Sequence, residues 1–285
     1  MSNSIPDETQ QKFENLQKIL KSMKKVLVAF SGGVDSTFLL KVAQDVLGSN
    51  VLAVIASSAT YPEREQQEAL RIAKNLDVRH KVIQTKELDD PSFRDNPPER
   101  CYFCKKELFS RLKEIASEES ILNVCDGSNF EDTYDFRPGS KAADELGVRS
   151  PLKEARLGKS EIRILSKQLG LPTWDKPAMA CLSSRFPYYT PIDSESLRMI
   201  DKAEEYLRNK GFSQLRVRHH GQMARIEVDP SDFSVILAKK TREDIVAELK
   251  KIGYLYVTLD LVGYRTGSMN EPILEGKQVG SKKNG

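Results

Sequence analysis

The residues best suited to chemistry in this chain are the seven of the sequence SGGVDST, from Ser31 to Thr37. Two adjacent glycines, Gly32 and Gly33, permit backbone angles that other residues avoid, and they let an anion approach the main chain closely. The hydroxyl groups of Ser31, Ser36 and Thr37 surround them. The segment therefore predicts a loop in which backbone N–H groups and hydroxyls bind a phosphate.

The flanking sequence supports this prediction. Residues 26–30 are too few and too apolar for an exposed helix and are typical of a buried strand. Apolar residues then recur at helical spacing, so a helix should begin near Val34 or Asp35, with its first N–H groups facing the loop. The loop lacks the lysine of the motif G-x-x-x-x-G-K-[ST], which disfavours the handling of a γ-phosphate seen in ordinary kinases.

Three cysteines form a second group of reactive side chains. Cys101 and Cys104 make a C-x-x-C at the beginning of a predicted helix, and Cys181 lies in KPAMACLSSRFPY. The pair by itself suits a redox dithiol. With a third thiolate it suits an iron–sulfur cluster in which one iron has no cysteine ligand and stays open to another ligand. A zinc site needs four ligands, and the chain has only three histidines and no second cysteine pair. The fourth cysteine, Cys125, sits in an apolar strand and is predicted to be a buried hydrophobic residue.

Two arginines near the C-terminal end form a third group. Arg216 and Arg218 alternate with Leu215 and Val217, so both guanidinium groups lie on one face of a predicted strand. Two arginines on one face suit bidentate recognition of a phosphate. The alternative is a solvated strand face, on which they pair with carboxylates such as Glu227.

The elements that must position these groups alternate between strands and helices in the first half of the chain. Strands are predicted at 26–30, 51–56, 78–84 and 121–125, with helices at 62–76 and 103–116. This order predicts a parallel α/β sheet, doubly wound with helices on both faces. Small polar residues follow three of the strands: Ser31, Ser57 with Ser58, and Gly127 with Ser128. These residues lie at the carboxyl ends of the strands. In parallel α/β sheets ligands bind at that edge, so we expect a nucleotide site there.

The alternation of strand-like and helix-like segments breaks off between residues 171 and 191. Four prolines interrupt residues 171–191, and we predict a first domain at 1–180 and a smaller α+β domain at 181–275. The second domain should contain a hairpin around His220 and Gly221 and a last strand in YLYVTLDL. Residues 276–285 are basic and aperiodic and are predicted to be a disordered tail.

The composition is that of a soluble globular protein, with 39% hydrophobic and 30% charged residues among 285. No apolar run reaches membrane-spanning length, and the first residues lack the pattern of a signal peptide. Four cysteines without an export signal favour a reducing cytoplasm, so we expect a cytoplasmic protein without a membrane partner. A net charge of +3 with interspersed signs argues against a nucleic-acid partner.

The loop SGGVDST resembles the PP-loop of the ATP pyrophosphatase superfamily, whose signature is SGGxDS. The resemblance implies an adenine nucleotide α-hydrolase-like fold and cleavage of ATP between its α- and β-phosphates. It implies that Asp35 helps to hold Mg2+ on the pyrophosphate. The residues that it places at ATP are Ser31, Gly32, Gly33, Asp35, Ser36, Thr37, Ser57, Gly127, Ser128 and Arg137, with Ser58 as a weaker candidate.

A narrower resemblance covers roughly residues 26–270. The segments that carry it, in order, are SGGVDST, RCYFCKKELFSRL, CDGSNFEDTYDFRPG, RSPLKEA, CLSSRFPY, LRVR, ARIEV and VTLDLVGYRTGSMN. Together they are similar to the LarE family of PP-loop sulfur transferases, which mature the nickel-pincer nucleotide of lactate racemase. The family implies an ATP-dependent enzyme that adenylates the carboxylates of pyridinium-3,5-dicarboxylate mononucleotide and converts them to thiocarboxylates.

The same resemblance implies roles for the cysteines and arginines. Cys101, Cys104 and Cys181 would hold a [4Fe–4S] cluster, as in its cluster-dependent branch; in the alternative branch Cys181 itself is the sacrificial sulfur donor. A cation such as Arg185 could activate a thiolate. The arginines implied at the substrate phosphate are Arg216, Arg218 and Arg265. A homo-oligomer is expected, the sulfur donor is left open, and the acidic residues Glu204 and Glu227 receive no role.

Two other functions remain as alternatives. A tRNA thiolase also combines a PP-loop with C-x-x-C and a later cysteine, although the modest net charge argues against it. A non-catalytic nucleotide-binding or redox-sensing module would use the same loop without transferring sulfur. Release of pyrophosphate from ATP in the presence of the pyridinium dicarboxylate distinguishes an enzyme from such a module.

Overall fold

A four-stranded parallel sheet organises the first half of the chain. The computed structural model describes residues 6–133, 138–177, 180–265, 267 and 269. Contacts divide them into two units, the first within Met1–Phe93 and Glu99–Met179, the second within Arg94–Pro98 and Ala180–Gly285. The short segment 94–98 thus belongs to the second unit, which the sequence does not predict.

The first unit alternates strands and helices. Its strands are β1 (Val26–Ala29), β2 (Val51–Ser57), β3 (Arg79–Gln84) and β4 (Asn123–Cys125). Its described helices are α1 (Asp7–Met23), α2 (Val34–Leu47), α3 (Glu63–Asn75), α4 (Pro91–Arg94), α5 (Arg100–Glu118), α6 (Pro138–Glu145), α7 (Pro151–Glu154) and α8 (Lys159–Gln168). The strand order is β3-β2-β1-β4, and each pair is parallel.

The two faces of this sheet carry separate hydrophobic cores. Along β1, Val26 and Val28 pack into one core and Leu27 into the other. The side chains of a strand alternate between its faces, so a strand covered on both sides must be apolar at every position. All three side chains are fully buried. The predicted doubly wound α/β fold is therefore confirmed, with β1 between β2 and β4.

The second unit is a small α+β arrangement. It contains α9 (Ser194–Asn209), β5 (Leu215–His220), β6 (Met223–Val228), α10 (Phe233–Leu237), α11 (Lys239–Ile252) and β7 (Tyr256–Leu259). β5 and β6 are antiparallel, and β7 lies parallel to β6 at the sheet edge. Its own core includes Val217, Ile226 and Leu249. The predicted hairpin is present, with Gly221 in the left-handed region at φ 62°.

The last strand differs from its prediction. The sequence predicts Leu255, Val257, Leu259 and Leu261 on one face of a strand, but β7 has only four residues. Leu255 and Leu261 lie outside the strand and are exposed, whereas Val257 and Leu259 pack against the core. An alternating pattern gives the face of a strand but does not give its length. Arg137 and the predicted tail at 276–285 lie outside the described residues. In the part of the chain that is described, no helix is long and apolar enough to cross a membrane.

Candidate functional site

The predicted phosphate loop lies between β1 and α2, at the carboxyl edge of the parallel sheet. Ser31 to Gly33 form the loop, and α2 begins at Val34. The Ser36 hydroxyl lies 3.0 Å from that of Ser31 and donates to the Gly33 carbonyl at 3.3 Å. These bonds fold the first turn of the helix back onto the loop. Backbone N–H groups at this helix N-terminus can therefore face an anion.

Two glycines let neighbouring elements approach this loop. Gly32 has φ 70°, and a Cβ there would lie 2.9 Å from the Cβ of Ala69 on α3. A Cβ on Gly127, which follows β4, would lie 3.0 Å from the backbone nitrogen of Ser36. No side chain fits at either position without displacement of the backbone or its neighbour. The structure thus brings Gly127 against the first turn of α2, as expected of two loops on one sheet edge.

Asp35 has one satisfied and one unsatisfied carboxylate oxygen. Lys159 donates to Oδ2 at 2.6 Å and Asn129 donates to the same oxygen at 3.3 Å. Among the described residues, Oδ1 of Asp35 and the hydroxyl of Thr37 are buried without a hydrogen-bond partner. Buried polar atoms without partners are rare in folded proteins. A carboxylate oxygen and a hydroxyl at a phosphate-binding helix are suitable ligands for Mg2+ carried by ATP.

The other predicted ATP contacts differ in their surroundings. Ser128 lies beside the loop, but its hydroxyl donates to Asp126 at 2.7 Å. Ser57 ends β2 and accepts a hydrogen bond from Gln84 at 3.3 Å. The hydroxyl of Ser58 donates to the buried carboxylate of Glu87. Ser58 therefore supports the interior of the first unit and is a poor candidate for contact with ATP.

Sequence reasoning missed a lysine behind the loop. Lys176 donates to the carbonyl oxygen of Gly32 at 3.2 Å and to Glu68 at 2.8 Å, and it forms an ion pair with Glu65 at 2.7 Å. Its side chain is 13% exposed, and that of Glu65 is 4% exposed. No spacing pattern identifies this residue, because 144 positions separate it from Gly32.

The three cysteines are divided between the two units. Cys101, which is exposed, and Cys104, which is half-buried, lie one turn apart at the start of α5 in the first unit. Cys181 is half-buried in the second unit and precedes a short helical turn at Leu182–Arg185. Within the described residues, no group of three or more histidine, cysteine or acidic side chains could hold a metal ion. The cluster role of the three cysteines stays a prediction. Cys125 is fully buried in the core, which confirms the predicted buried hydrophobic residue, and this burial raises the pKa of its thiol to about 12.

Arg185 holds the backbone beside Cys181. Its guanidinium donates to the carbonyls of Ala180 and Cys181 at 3.0 and 3.1 Å, and it pairs with Glu204 through bonds of 2.8 and 3.0 Å. Burial opposes the charge on Glu204, but Arg185 and then Arg208 outweigh it and hold the pKa of Glu204 at about 2. Arg185 contacts main-chain oxygens and a carboxylate, so positioning the cysteine loop is the role that its geometry supports.

The two strand arginines differ in how their charge is compensated. Arg218 is buried; it donates to Glu227 at 2.7 Å and to the Ser184 carbonyl at 3.0 Å. Arg216 is half-buried, donates to the Leu215 carbonyl at 2.7 Å, and forms no ion pair with any described residue. Burial and then the like charge of Arg185 lower the pKa of Arg216. Arg216 is thus the cation best placed to gain from a bound anion.

Arg216 is also held from its other side. The guanidinium carbon lies 5.1 Å from the centre of the Tyr264 ring, a distance typical of a cation–π contact. Arg265, the third predicted phosphate ligand, lies 3.6 Å from Asp260. The structure places Arg216 and Arg218 on one face of β5 as predicted, whereas Arg265 follows β7 and is paired with an acid.

Comparisons with known proteins agree with this organisation. The family model described as NAD synthase matches residues 9–219. An uncharacterized protein of Synechocystis is 44% identical over 91% of this chain and 97% of its own length. The pyridinium-3,5-bisthiocarboxylic acid mononucleotide synthase of Lactiplantibacillus plantarum is 40% identical over 90% of this chain and 93% of its own length. An uncharacterized protein of Methanocaldococcus jannaschii is 32% identical over 88% of this chain and 95% of its own length.

Proposed function

The chain belongs to the NAD synthase family of PP-loop proteins and to the group of relatives that includes the L. plantarum pyridinium-3,5-bisthiocarboxylic acid mononucleotide synthase, and on this basis we propose that it is an ATP-dependent sulfur transferase. Its substrate is pyridinium-3,5-dicarboxylate mononucleotide, and its product carries thiocarboxylates, in the synthesis of the nickel-pincer nucleotide. The name of this relative, which is aligned along almost its whole length, gives the product, and the family resemblance implies the dicarboxylate as the substrate.

The phosphate loop is the observation that carries the proposal. Among the described residues, Asp35 Oδ1 and Thr37 Oγ1 are buried without hydrogen-bond partners at the start of α2, where ATP with its Mg2+ would provide partners. Ser31, Ser36 and the amides of the loop would surround the pyrophosphate. Preorganised donors of this kind stabilise the charge that develops when the bond between the α- and β-phosphates breaks. The absence of a P-loop lysine from the loop agrees with attack at the α-phosphate.

The reaction proceeds in two displacements. A carboxylate oxygen of the substrate attacks the α-phosphorus of ATP, the bond to the bridging oxygen breaks, and pyrophosphate leaves. The acyl-adenylate then carries a good leaving group on a carbon that was a poor electrophile. A thiolate attacks that carbon, the bond to the AMP oxygen breaks, and AMP leaves. Arg216 is the residue that we assign to the substrate phosphate, because its charge lacks a carboxylate partner among the described residues.

We propose Cys181 as the thiolate that supplies the sulfur. Arg185 holds its carbonyl at 3.1 Å, and the short turn that follows fixes the loop. After the thioester forms, removal of the Cα proton and cleavage of the Cβ–S bond would leave sulfur on the product and dehydroalanine at position 181. The cluster formed by Cys101, Cys104 and Cys181 remains the alternative, in which these three thiolates would hold the iron and supply the sulfur in place of a sacrificial cysteine.

Pyrophosphate release tests the proposed function. The wild-type protein should release pyrophosphate from ATP only when the pyridinium dicarboxylate mononucleotide is present. The variant Arg216→Met should raise the KM for the mononucleotide about tenfold or more and leave the KM for ATP unchanged, since it removes a charged contact to one substrate only. ATP binding without substrate-dependent pyrophosphate release would instead indicate a non-catalytic nucleotide-binding module.

The same preparation identifies the source of sulfur. Anaerobic purification, an iron count and the mass of the protein after turnover separate the two alternatives. An iron-free protein that loses the mass of H2S from position 181 supports the sacrificial cysteine. Bound iron that disappears in Cys101→Ala, with no loss of mass at position 181, supports the cluster. Steep loss of tRNA binding with salt would favour the thiolase alternative.

A further inference from the structure

Lys176 lies where the phosphate loop meets the chain that leads to Cys181. Its ammonium donates to the carbonyl oxygen of Gly32 at 3.2 Å, inside the loop. Pro177 follows it, and the chain enters the second unit at Ala180. The predicted site residues do not include Lys176, yet it contacts the main chain that should bind the nucleotide.

The contact fixes the direction of an amide that faces the phosphate site. The peptide between Gly32 and Gly33 is planar and trans, so its carbonyl and its N–H point in opposite directions. Lys176 holds the carbonyl on one side, which turns the Gly33 N–H to the other. On that side the Gly33 N–H donates a long hydrogen bond of 3.4 Å to the Ser31 hydroxyl, and that hydroxyl lies 3.0 Å from the hydroxyl of Ser36. Holding the carbonyl therefore keeps the amide directed towards the hydroxyls of the loop, which we assign to the phosphate.

The lysine is itself held from α3. Glu65 forms an ion pair with it at 2.7 Å and Glu68 accepts a hydrogen bond at 2.8 Å. The carboxylate of Glu65 is almost completely buried and is also paired with Arg64 at 2.9 Å. A buried charge remains in place only when its partners are fixed. Since α3 also meets Gly32 through Ala69, helix, lysine and loop form one contiguous contact.

The segment around the lysine is held on its main chain as well. Arg163 on α8 donates to the carbonyl oxygens of Trp174 and Lys176, each at 2.7 Å. The side chain of Lys176 thus reaches the phosphate loop while its own carbonyl is tied to α8. Five residues later along the chain is Cys181. A change in the conformation of the phosphate loop would therefore affect the beginning of the segment that leads to Cys181.

From this geometry we infer that Lys176 is a positioning residue, which orients the phosphate loop for ATP and couples occupation of that loop to the segment leading to Cys181. The inference rests on the proposed binding of ATP to the loop. Linkage is reciprocal, so ATP that stabilises the contact should also restrain residues 172–177.

Two measurements test this inference. The first is the Kd of α,β-methylene-ATP with Mg2+, which binds without cleavage of the α–β bond. The second is hydrogen exchange of a peptide covering residues 172–177, with and without saturating nucleotide. In Lys176→Met the Kd should rise about tenfold, the loss of one charged hydrogen bond, and the protection by nucleotide should disappear. Lys176→Arg should keep most of the wild-type affinity and most of the protection by nucleotide.

Control variants separate positioning from stability. Glu65→Gln removes the buried partner but keeps the lysine on Gly32, so it should lower the Tm and change the Kd by less than about twofold. Lys41→Met removes a half-buried lysine that pairs with the exposed Asp45, away from the phosphate loop, and should change neither the Kd nor the protection. If Lys176→Met folds poorly, the double variant with Glu65→Gln leaves no unpaired buried carboxylate and should show the same loss of affinity.

The outcomes are distinct. A wild-type protein that bound no nucleotide would refute the proposed function and this inference with it. A wild-type protein that bound nucleotide, together with Lys176→Met of unchanged Kd and unchanged protection, would refute the inference alone. Equal losses of affinity in Glu65→Gln and Lys176→Met would show that the lysine acts only through stability.

Discussion

At the scale of single residues, the site is distinguished by which charges have partners. Arg185 and Arg218 are buried and paired with Glu204 and Glu227, so their charges are used within the protein. Asp35 keeps one oxygen without a partner, and Arg216 forms no ion pair, both within the described residues. Unsatisfied groups of this kind cost stability unless a ligand completes them. They are therefore the best candidates for binding.

A substitution at Asp35 tests this at the same scale. Asp35→Asn should reduce substrate-dependent pyrophosphate release at least about a hundredfold, because it removes the charge that would hold Mg2+. The Tm should fall only modestly, since the amide keeps the size of the carboxyl group and the ion pair that is lost is with the partly exposed Lys159. Asp45→Asn lies on the same helix, is exposed and pairs with Lys41, so it is the matched control and should leave the rate unchanged. Equal rates in the two variants would contradict the role of Asp35.

At the scale of elements, α2 matters because its first turn is approached from two sides. The backbone of Gly127 approaches from the end of β4, and Ala69 of α3 approaches through Gly32. Both contacts depend on the absence of a Cβ atom. The anion site is thus made by three elements that meet at the edge of the sheet, and its precision is set by their packing.

The effect of a methyl group at Gly127 follows from this packing. Gly127→Ala should weaken binding of ATP about tenfold or more, because its Cβ would lie 3.0 Å from the Ser36 nitrogen and displace the helix start. Gly170→Ala is the control: its φ is 67°, but no atom lies within 4 Å of the added Cβ. It should cost about 1 kcal/mol of stability through backbone strain and leave ATP binding intact. Isothermal titration and thermal melts measure both effects.

The sequence predicts the local features of these elements and misses what distant residues contribute. SGGVDST contains the turn, the hydroxyls and the helix start within seven residues, so loop and helix follow from spacing alone. Lys176 contacts Gly32 across 144 positions, and nothing in the residues around it indicates a partner. Ser58 follows a strand in the manner of a ligand residue, yet the buried Glu87 accepts its hydroxyl. Such pairings depend on which elements the fold brings together.

At the scale of the whole molecule, each unit has its own hydrophobic core and its own buried charges. The first unit packs two cores on the faces of its sheet, and the second packs one around α9 and β5. In the second unit Glu204 is fully buried, with Arg185 and Arg208 on its carboxylate and the Val217 amide donating at 3.1 Å. The stability of this unit therefore depends on an ionised carboxylate.

Acid should weaken the second unit through Glu204. Its pKa is lowered from 4.5 to about 2, so the unfolded chain binds a proton at a higher pH than the folded chain. The stabilisation is complete above about pH 4.5 and is lost as the pH falls towards 2. Urea denaturation followed by circular dichroism at pH 7, 4.5 and 3 should show this loss in 0.5 M salt.

Glu119 provides the comparison for this experiment. Its pKa is also lowered to about 2, by Lys81 and Arg79, but both of these ion pairs lie at the surface. Salt screens exposed pairs and has little effect on buried ones. Glu119→Gln should therefore leave the acid dependence of stability in 0.5 M salt unchanged. Glu204→Gln should remove the part of that dependence that comes from Glu204. An acid dependence that salt removed entirely would contradict the assignment to Glu204.

The segment 94–98 has a consequence for any attempt to divide the protein. The Ile192 amide donates to the Arg94 carbonyl at 2.8 Å, and the Tyr189 amide donates to the Asn96 carbonyl at 3.0 Å. The Asn96 side chain also donates to the Pro187 carbonyl at 2.8 Å. A C-terminal fragment that began at Ala180 would lack all of these partners. The segments of the two units therefore alternate along the sequence. Division of the chain at a single position cannot give two polypeptides that each contain one complete unit.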